Sequence, residues 1–297
     1  MKKLDKLSTI FDKSKEISFN DNSKIIIMSD CHRGINNLGD NFSKNKSIFI
    51  DALRYYYLEN YTYIEIGDGD ELWENKYLEK IIDNHLEVFL IMSMFYKNNR
   101  LHMLFGNHDI TKINIIENSI LNNYYDKNKK TYISLFPGIK IDEGLKIKYV
   151  ETNDQIFLTH GHQGDFFNDT IWKISRFLIR NLYRPIELIG INISSQKIFK
   201  YKKTNVEKKL ISWSMKNKQL LIAGHTHRPV FPKIGDSLYF NDGCCIKQDY
   251  ITGIEINKGE ISLIKWSKKN HKNGKSFVKK DILYGPMKLK SYFNNLK

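Results

Sequence analysis

Short apolar runs, each closed by a polar residue, punctuate the chain. Residues 24–29 (Lys-Ile-Ile-Ile-Met-Ser) end at Asp30, residues 61–66 at Gly67-Asp68, and residues 101–105 at Gly106-Asn107. Runs this short and unbroken predict strands covered on both faces. Between them, residues 43–60 place Ile48, Phe49, Ala52, Leu53, Tyr56 and Tyr57 at helical spacing. Residues 76–99 predict a longer helix, whose apolar stretch 86–96 is too short for a membrane span and reads as buried. The strand–helix–strand–helix–strand order predicts an α/β layered fold. Residues 155–159 and 219–223 repeat the strand pattern, ending at His160 and Gly224-His225. Between these, residues 166–218 read as a mostly helical insertion mixing Trp172, Phe177 and Leu178 with Lys173, Arg176 and Arg180. Residues 237–241, 251–256 and 261–266 are strand-like, the last two joined by a hairpin turn at Asn257-Lys258-Gly259. The expected organisation is a polar arm or short helix over 1–23, a main domain over 24–266 carrying the insertion, and a basic tail over 267–297. The lysine-heavy start of that tail, 267–280, is expected to be mobile.

A chain of 297 residues can bury one substantial core, and 41% hydrophobic with 13% aromatic content excludes a disordered chain. The net charge of +14, mostly lysine, fits a solvated surface or attraction to polyanions: nucleic acid, a phosphorylated substrate or an anionic membrane surface. Cys31, Cys244 and Cys245 offer no spaced disulfide framework, which points to a reducing compartment. The start, Met1-Lys2-Lys3-Leu4-Asp5-Lys6, lacks the apolar core of a signal peptide. A cytoplasmic protein without a transmembrane segment is expected, with peripheral contact to the inner membrane face as an option.

Candidate chemistry is concentrated where the apolar runs end. Asp30-Cys31-His32, Gly67-Asp68, Gly106-Asn107-His108-Asp109, His160-Gly161-His162 and Gly224-His225-Thr226-His227 follow in order. Carboxylate, amide oxygen and imidazole are ligands for divalent metals, and strand ends converge on one rim of a sheet. Asp30 and His32, two apart at a strand end, are expected to point the same way. Asp68 has two oxygens with which to bridge two ions; Asp70 competes with it, but the length of the preceding strand favours Asp68. Asn107 adds a neutral oxygen, and His160, His225 and His227 add imidazoles. His162 is the alternative to His160, or a substrate contact. Two such ions acidify a bridging water and neutralise phosphate oxygens during in-line attack. His108 is the candidate proton donor to the leaving oxygen, with Asp109 orienting its ring. Arg33, His162 and Arg228 are the candidate substrate contacts. Cys31 is expected to point away from the metals, Cys244-Cys245 to be a packed pair, and His85, His102 and His271 to be structural or exposed.

Read together as DCH, GD, GNHD, HGH and GHTH, the five blocks resemble the calcineurin-like metallophosphoesterase superfamily over roughly residues 25–245. The resemblance implies a four-layer α-β-β-α sandwich, a dinuclear centre and phosphoester hydrolysis. It implies Asp30, His32, Asp68 and His227 on one metal and Asp68, Asn107, His160 and His225 on the other, with His108 assisting phosphate binding and leaving-group departure. Within the superfamily, Gly67-Asp68 with Glu71 and Trp73, and Gly224-His225-Thr226-His227-Arg228-Pro229, look like the UDP-2,3-diacylglucosamine hydrolase branch. The insertion over 166–218 is similar to that branch's helical cap, which covers acyl chains. The branch carries arginine where this chain has His108, and HGD at 160–162. The implied cofactor is a pair of divalent ions, Mn²⁺ first, with Fe, Zn or Mg as alternatives. The implied substrate is a phosphorylated small molecule or lipid-linked compound, cleaved at a pyrophosphate or phosphodiester bond. A nuclease and a phosphoprotein phosphatase are the rival enzymes. A non-enzymatic scaffold is opposed by the intact blocks.

Overall fold

The computed structural model describes residues 4–113, 120–164, 196–270 and 276–295. In chain order the elements are α1 (Leu4–Lys13), β1 (Lys15–Phe19), β2 (Lys24–Met28), α2 (Lys46–Leu58), β3 (Thr62–Ile66), α3 (Leu78–Lys97) and β4 (Leu101–Leu104). Then come β5 (Tyr124–Asp126), β6 (Thr131–Ile133), β7 (Ile141–Asp142), β8 (Gly144–Tyr149) and β9 (Gln155–Thr159). They are followed by α4 (Gln196–Lys216), β10 (Leu220–Ala223), β11 (Tyr239–Asn241), β12 (Tyr250–Asn257), β13 (Glu260–Asn270), β14 (Ser276–Lys288) and α5 (Leu289–Asn294).

Two sheets carry the fold: β14-β13-β12-β2-β3-β4-β7 and β1-β8-β9-β10-β11, with β5-β6 a separate small pair. The unbroken apolar runs explain the layering, because each strand buries both faces. Ile25 and Ile27 of β2, Ile64 and Ile66 of β3, Ile156 and Leu158 of β9, and Leu220 and Ile222 of β10 pack into one core between the sheets. The alternate residues Ile26, Met28 and Tyr63 face α2 and α3. Phe157, Leu221 and Ala223 face α1 and α4 through Leu7, Ile10, Val206, Leu210 and Trp213. Three cores separate four layers, so the α-β-β-α sandwich is present. Parallel pairing of β2 with β3 and β3 with β4, and of β9 with β10, sends the polar strand ends to one rim.

Three expectations change. Residues 4–19 are not a free arm: the short helix alternative forms as α1, which packs on the five-stranded sheet, and β1 pairs in parallel with β8. Residues 267–270 and 276–295 are not a loose tail, since β13 and β14 pair over most of their length and Leu289, Tyr292 and Phe293 of α5 close the inter-sheet core. Lysine density hid that strand, whose Val278 and Met287 pack inward while Lys280 pairs with Glu255 at 2.9 Å and Lys279 and Lys288 face out. Within the insertion, Val206, Leu210 and Trp213 of α4 belong to the fourth layer; residues 165–195, which carry the rest of the expected cap, lie outside the described residues, as does His271. The turn at Asn257-Lys258-Gly259 forms as expected, with Lys258 and Gly259 both at positive φ. No helix among the described residues is long and apolar enough to cross a membrane.

Candidate metal centre

Pairing continues past the strand ends and brings the first two blocks together. Asp30 N donates to Gly67 O (3.1 Å) and His32 N to Asp68 O (2.9 Å), so the two loops run side by side. Across the sandwich, Gly224 N donates to His160 O (3.0 Å), and His225 N reaches the Asp30 carboxylate at 2.8 Å. Asp30 and His32 do not converge through strand alternation. Both lie beyond β2 with φ of 51° and 47°, and Asp68, His225 and His227 share this left-handed backbone (φ 50°, 65° and 56°). Gly67, at φ +99°, has no room for a side chain: a Cβ there would sit 2.7 Å from Gly106 N and 2.8 Å from the His160 side chain. Glycine lets the ends of β3, β4 and β9 close up.

The side chains then form two adjoining groups, Asp30-His32-His227 and Asp68-His160-His225. His227 Nε2 lies 2.9 Å and His32 Nε2 3.6 Å from Asp30 Oδ1. Asp68 Oδ2 lies 3.0 Å from His160 Nε2 and 3.8 Å from His32 Nε2, between the two groups. Asn107 is buried between Gly106 and His108, and His108 N donates to Asp68 Oδ1 at 2.8 Å. The seven residues expected as ligands are therefore brought to one rim. Asp70 is elsewhere engaged, which leaves Asp68 in the central position.

These residues fit a pair of divalent ions. Asp30 Oδ1, His32 Nε2, His160 Nε2 and both Asn107 amide atoms are buried without a well-formed hydrogen bond among the described residues. Leaving such atoms unsatisfied is costly unless a ligand takes them. The opposite nitrogens are fixed from behind: His160 Nδ1 donates to Ile66 O (3.0 Å) and His32 Nδ1 to Glu71 Oε2 (2.8 Å), which turns both Nε2 atoms toward the centre. The electrostatics ask for cations. Burial opposes protonation of His160, yet the Asp68 and Asp30 carboxylates raise its pKa to about 9. Burial, reinforced by nearby His160, holds His225 down at about 3, so its imidazole is neutral, the form a metal ligand requires. Asp30 and Asp68 are held well below the usual carboxylate range despite burial, chiefly by His227 and His160 respectively.

His108 lies beside this centre, but Asp109 does not orient its ring. The Asp109 carboxylate accepts from the backbone of Asp68, Gly69 and Gly106 (3.2, 3.0 and 2.7 Å) and pairs with Lys112 at 2.8 Å, so it ties two ligand loops together. The ring partner is Glu71, at 2.8 Å from His108 Nδ1, while Trp73 stacks on the other side with centroids 4.1 Å apart. Glu71 thus holds His32 and His108 at once. Its place three residues after Asp68 was the available signal for that role. Burial opposes protonation of His108, but Glu71 and Asp68 raise its pKa.

The expected substrate contacts fare differently. Arg33 is fully buried, donating to Glu65 through Nη1 and Nη2 (2.7 and 2.9 Å) and to Asp70 through Nε (2.7 Å); it faces no substrate. The signal was Glu65, a carboxylate inside an apolar strand that needs a buried cation. Arg228 is exposed but paired with Glu207. His162 is buried behind His160, with ring centroids 5.6 Å apart, and lies outside both groups. Cys31 packs with Cys245 into the helix-side core, away from the ligands, and His85 is a buried partner of Asp40.

A family model described as calcineurin-like phosphoesterase matches residues 23–229. Vps29 from Chaetomium thermophilum is similar at 8% identity, covering 88% of this chain and 96% of that one, with a TM-score of 0.37. A cold-active protein-tyrosine phosphatase from a psychrophilic Shewanella is 14% identical, covering 89% of this chain and 83% of that one, with a TM-score of 0.40. No curated protein matches the chain.

Proposed function

The chain belongs to the calcineurin-like phosphoesterase family of phosphoester hydrolases, and from that premise we propose that it cleaves a phosphodiester or pyrophosphate bond with two divalent ions, Mn²⁺ first among them. The observation that carries this reading is Asp68 Oδ2 lying between His32 and His160, with His108 held by Glu71 at the edge of the same centre. Two divalent ions, when bound, supply charge that neutralises phosphate oxygens and acidifies water. The chain's own residues do the rest. Asp30, His32 and His227 hold one side, His160, His225 and Asn107 the other, and Asp68 spans them. Glu71 takes His108 Nδ1, which leaves Nε2 to give a proton to the departing oxygen. Trp73 fixes the ring plane. The finer likeness to UDP-2,3-diacylglucosamine hydrolases rests on Glu71, Trp73 and the 224–229 block. An acyl-binding cap would lie mostly in residues outside those described, so the substrate class stays at phosphodiester or pyrophosphate.

Purified protein is expected to release p-nitrophenolate from bis-p-nitrophenyl phosphate with added Mn²⁺, and to stop when the ions are chelated. Turnover that survives chelation would sink the reading. His108→Ala is expected to lower kcat by about 10²–10⁴-fold with metal content retained; loss of metal with kcat per bound metal unchanged would instead make His108 a ligand.

A further inference from the structure

β13 and β14 outrun the sheet at the end where the ligands lie. β12 is antiparallel to β2, with Ile254 opposite Ile27, so its first residue, Tyr250, is at the ligand rim. Tyr250 pairs with Ser267 and Lys268 N still reaches Asp249 O at 3.4 Å; beyond that level, among the described residues, β13 and β14 continue through Lys269–Phe277 and Asn270–Ser276. These two residue pairs make a short two-stranded ribbon projecting about 7 Å past the rim. It stands two strands from β2, about 10 Å to the side of Asp30. Lys269 is exposed on it and Lys268 and Lys279 are exposed at its base, with Phe277 38% exposed. Asp281 offsets part of this charge through a pair with Lys279 at 2.6 Å.

We propose that this ribbon binds the phosphate backbone of a single-stranded nucleic acid and lays it across the rim beside the candidate metal centre. Lysines that meet phosphates are the electrostatic component of a sequence-tolerant strand-binding surface. A lateral offset of about 10 Å corresponds to a few nucleotides of strand, at about 3.4 Å of rise each. An anionic membrane fits less well. The exposed aliphatics of β14, Ile282 and Leu283, lie at the level of Ile264 and Leu263 in the body of the sheet, not on the projecting lysine-bearing part. The ribbon is separate from the ligands, and only the fate of the bound strand rests on the phosphoesterase reading.

The test is fluorescence anisotropy of labelled oligodeoxythymidylate with the full chain in EDTA, across a salt series starting near 50 mM. K268A/K269A/K279A is compared with K97A/K216A/K290A, which removes the same charge at the opposite end of the strands. The milder K268Q/K269Q leaves the Lys279–Asp281 pair intact. The wild type is expected to bind, and the ribbon triple variant to bind at least about tenfold more weakly, with a log–log salt slope shallower by about 2. The opposite-end variant should stay near wild type, and K268Q/K269Q should fall between. Equal weakening of both triple variants, or no binding by wild type at the lowest salt, overturns the proposal. So does selective loss of binding to phosphatidylserine vesicles with oligonucleotide binding unchanged, which would assign the ribbon to a membrane. Bis-p-nitrophenyl phosphate turnover, measured on the same preparations with Mn²⁺, tests the hydrolase reading separately.

Discussion

Replacing Arg33 with methionine sets a substrate contact against a structural ion pair. The guanidinium is 0% exposed, and it donates twice to Glu65 and once to Asp70 at 2.7–2.9 Å. Lys112 also pairs with Asp70, at 2.5 Å, and with Asp109, at 2.8 Å, so its ammonium is already engaged by two carboxylates. Methionine fills much of the volume but leaves the buried Glu65 carboxylate, among the described residues, with only the Tyr63 hydroxyl, at 2.9 Å, as a donor. Removing one member of a buried pair costs about 3–5 kcal/mol, mostly because the other charge is stranded. At about 2–4 °C per kcal/mol for a chain of this size, Tm should fall by roughly 6–20 °C. Calorimetry in EDTA reads this without metal linkage. R33M/E65L should recover much of the loss, since an apolar pair strands no charge. An unchanged Tm with a raised KM for bis-p-nitrophenyl phosphate would refute the argument and return Arg33 to the substrate.

Glu71→Gln keeps the shape but removes the charge shared by His32 and His108. Losing charge-assisted bonds worth about 1.5–3 kcal/mol should lower kcat at saturating Mn²⁺ by about 10–100-fold; steady-state kinetics with metal analysis checks this, and an unchanged kcat would remove Glu71 from the proton path. Asp40 gives the acid limb of stability. Burial would raise its pKa, but His85 and the amides of Asn36 and Ser43 bring it below the ordinary carboxylate value. A group depressed in the folded state contributes stability that is whole above its unfolded pKa and is lost as pH falls through the folded one. Asp40→Asn should therefore be destabilising in urea near neutrality, with a gap from wild type that narrows below about pH 4; a constant gap down to acid pH would contradict it.

The strands and helices that position the centre were legible because their apolar residues do one thing locally. Residues 24–29 and 61–66 are covered on both faces, and α2 and α3 each bury one stripe. The residues that gather at the rim were legible as candidate ligands because each block follows such a run. What escaped the sequence is what depends on partners far along the chain. Arg33 beside a ligand reads as an exposed phosphate clamp until Glu65 is seen beneath it. Asp109 next to His108 reads as its partner until the amides of Asp68, Gly69 and Gly106 claim it. The strand Ser276–Lys288 and the helix Leu289–Asn294 were hidden because lysine on an edge strand and lysine in a mobile tail have the same composition. Pairing with β13 decides between them.

The left-handed backbone at Asp30, His32, Asp68, His225 and His227 bears on how this chain can change over generations. Each such non-glycine residue carries strain of order 1–3 kcal/mol, which glycine would relieve. Glycine at any of these positions would relax the main chain while removing a candidate metal donor, so a gain in thermal stability there would come at the expense of metal binding.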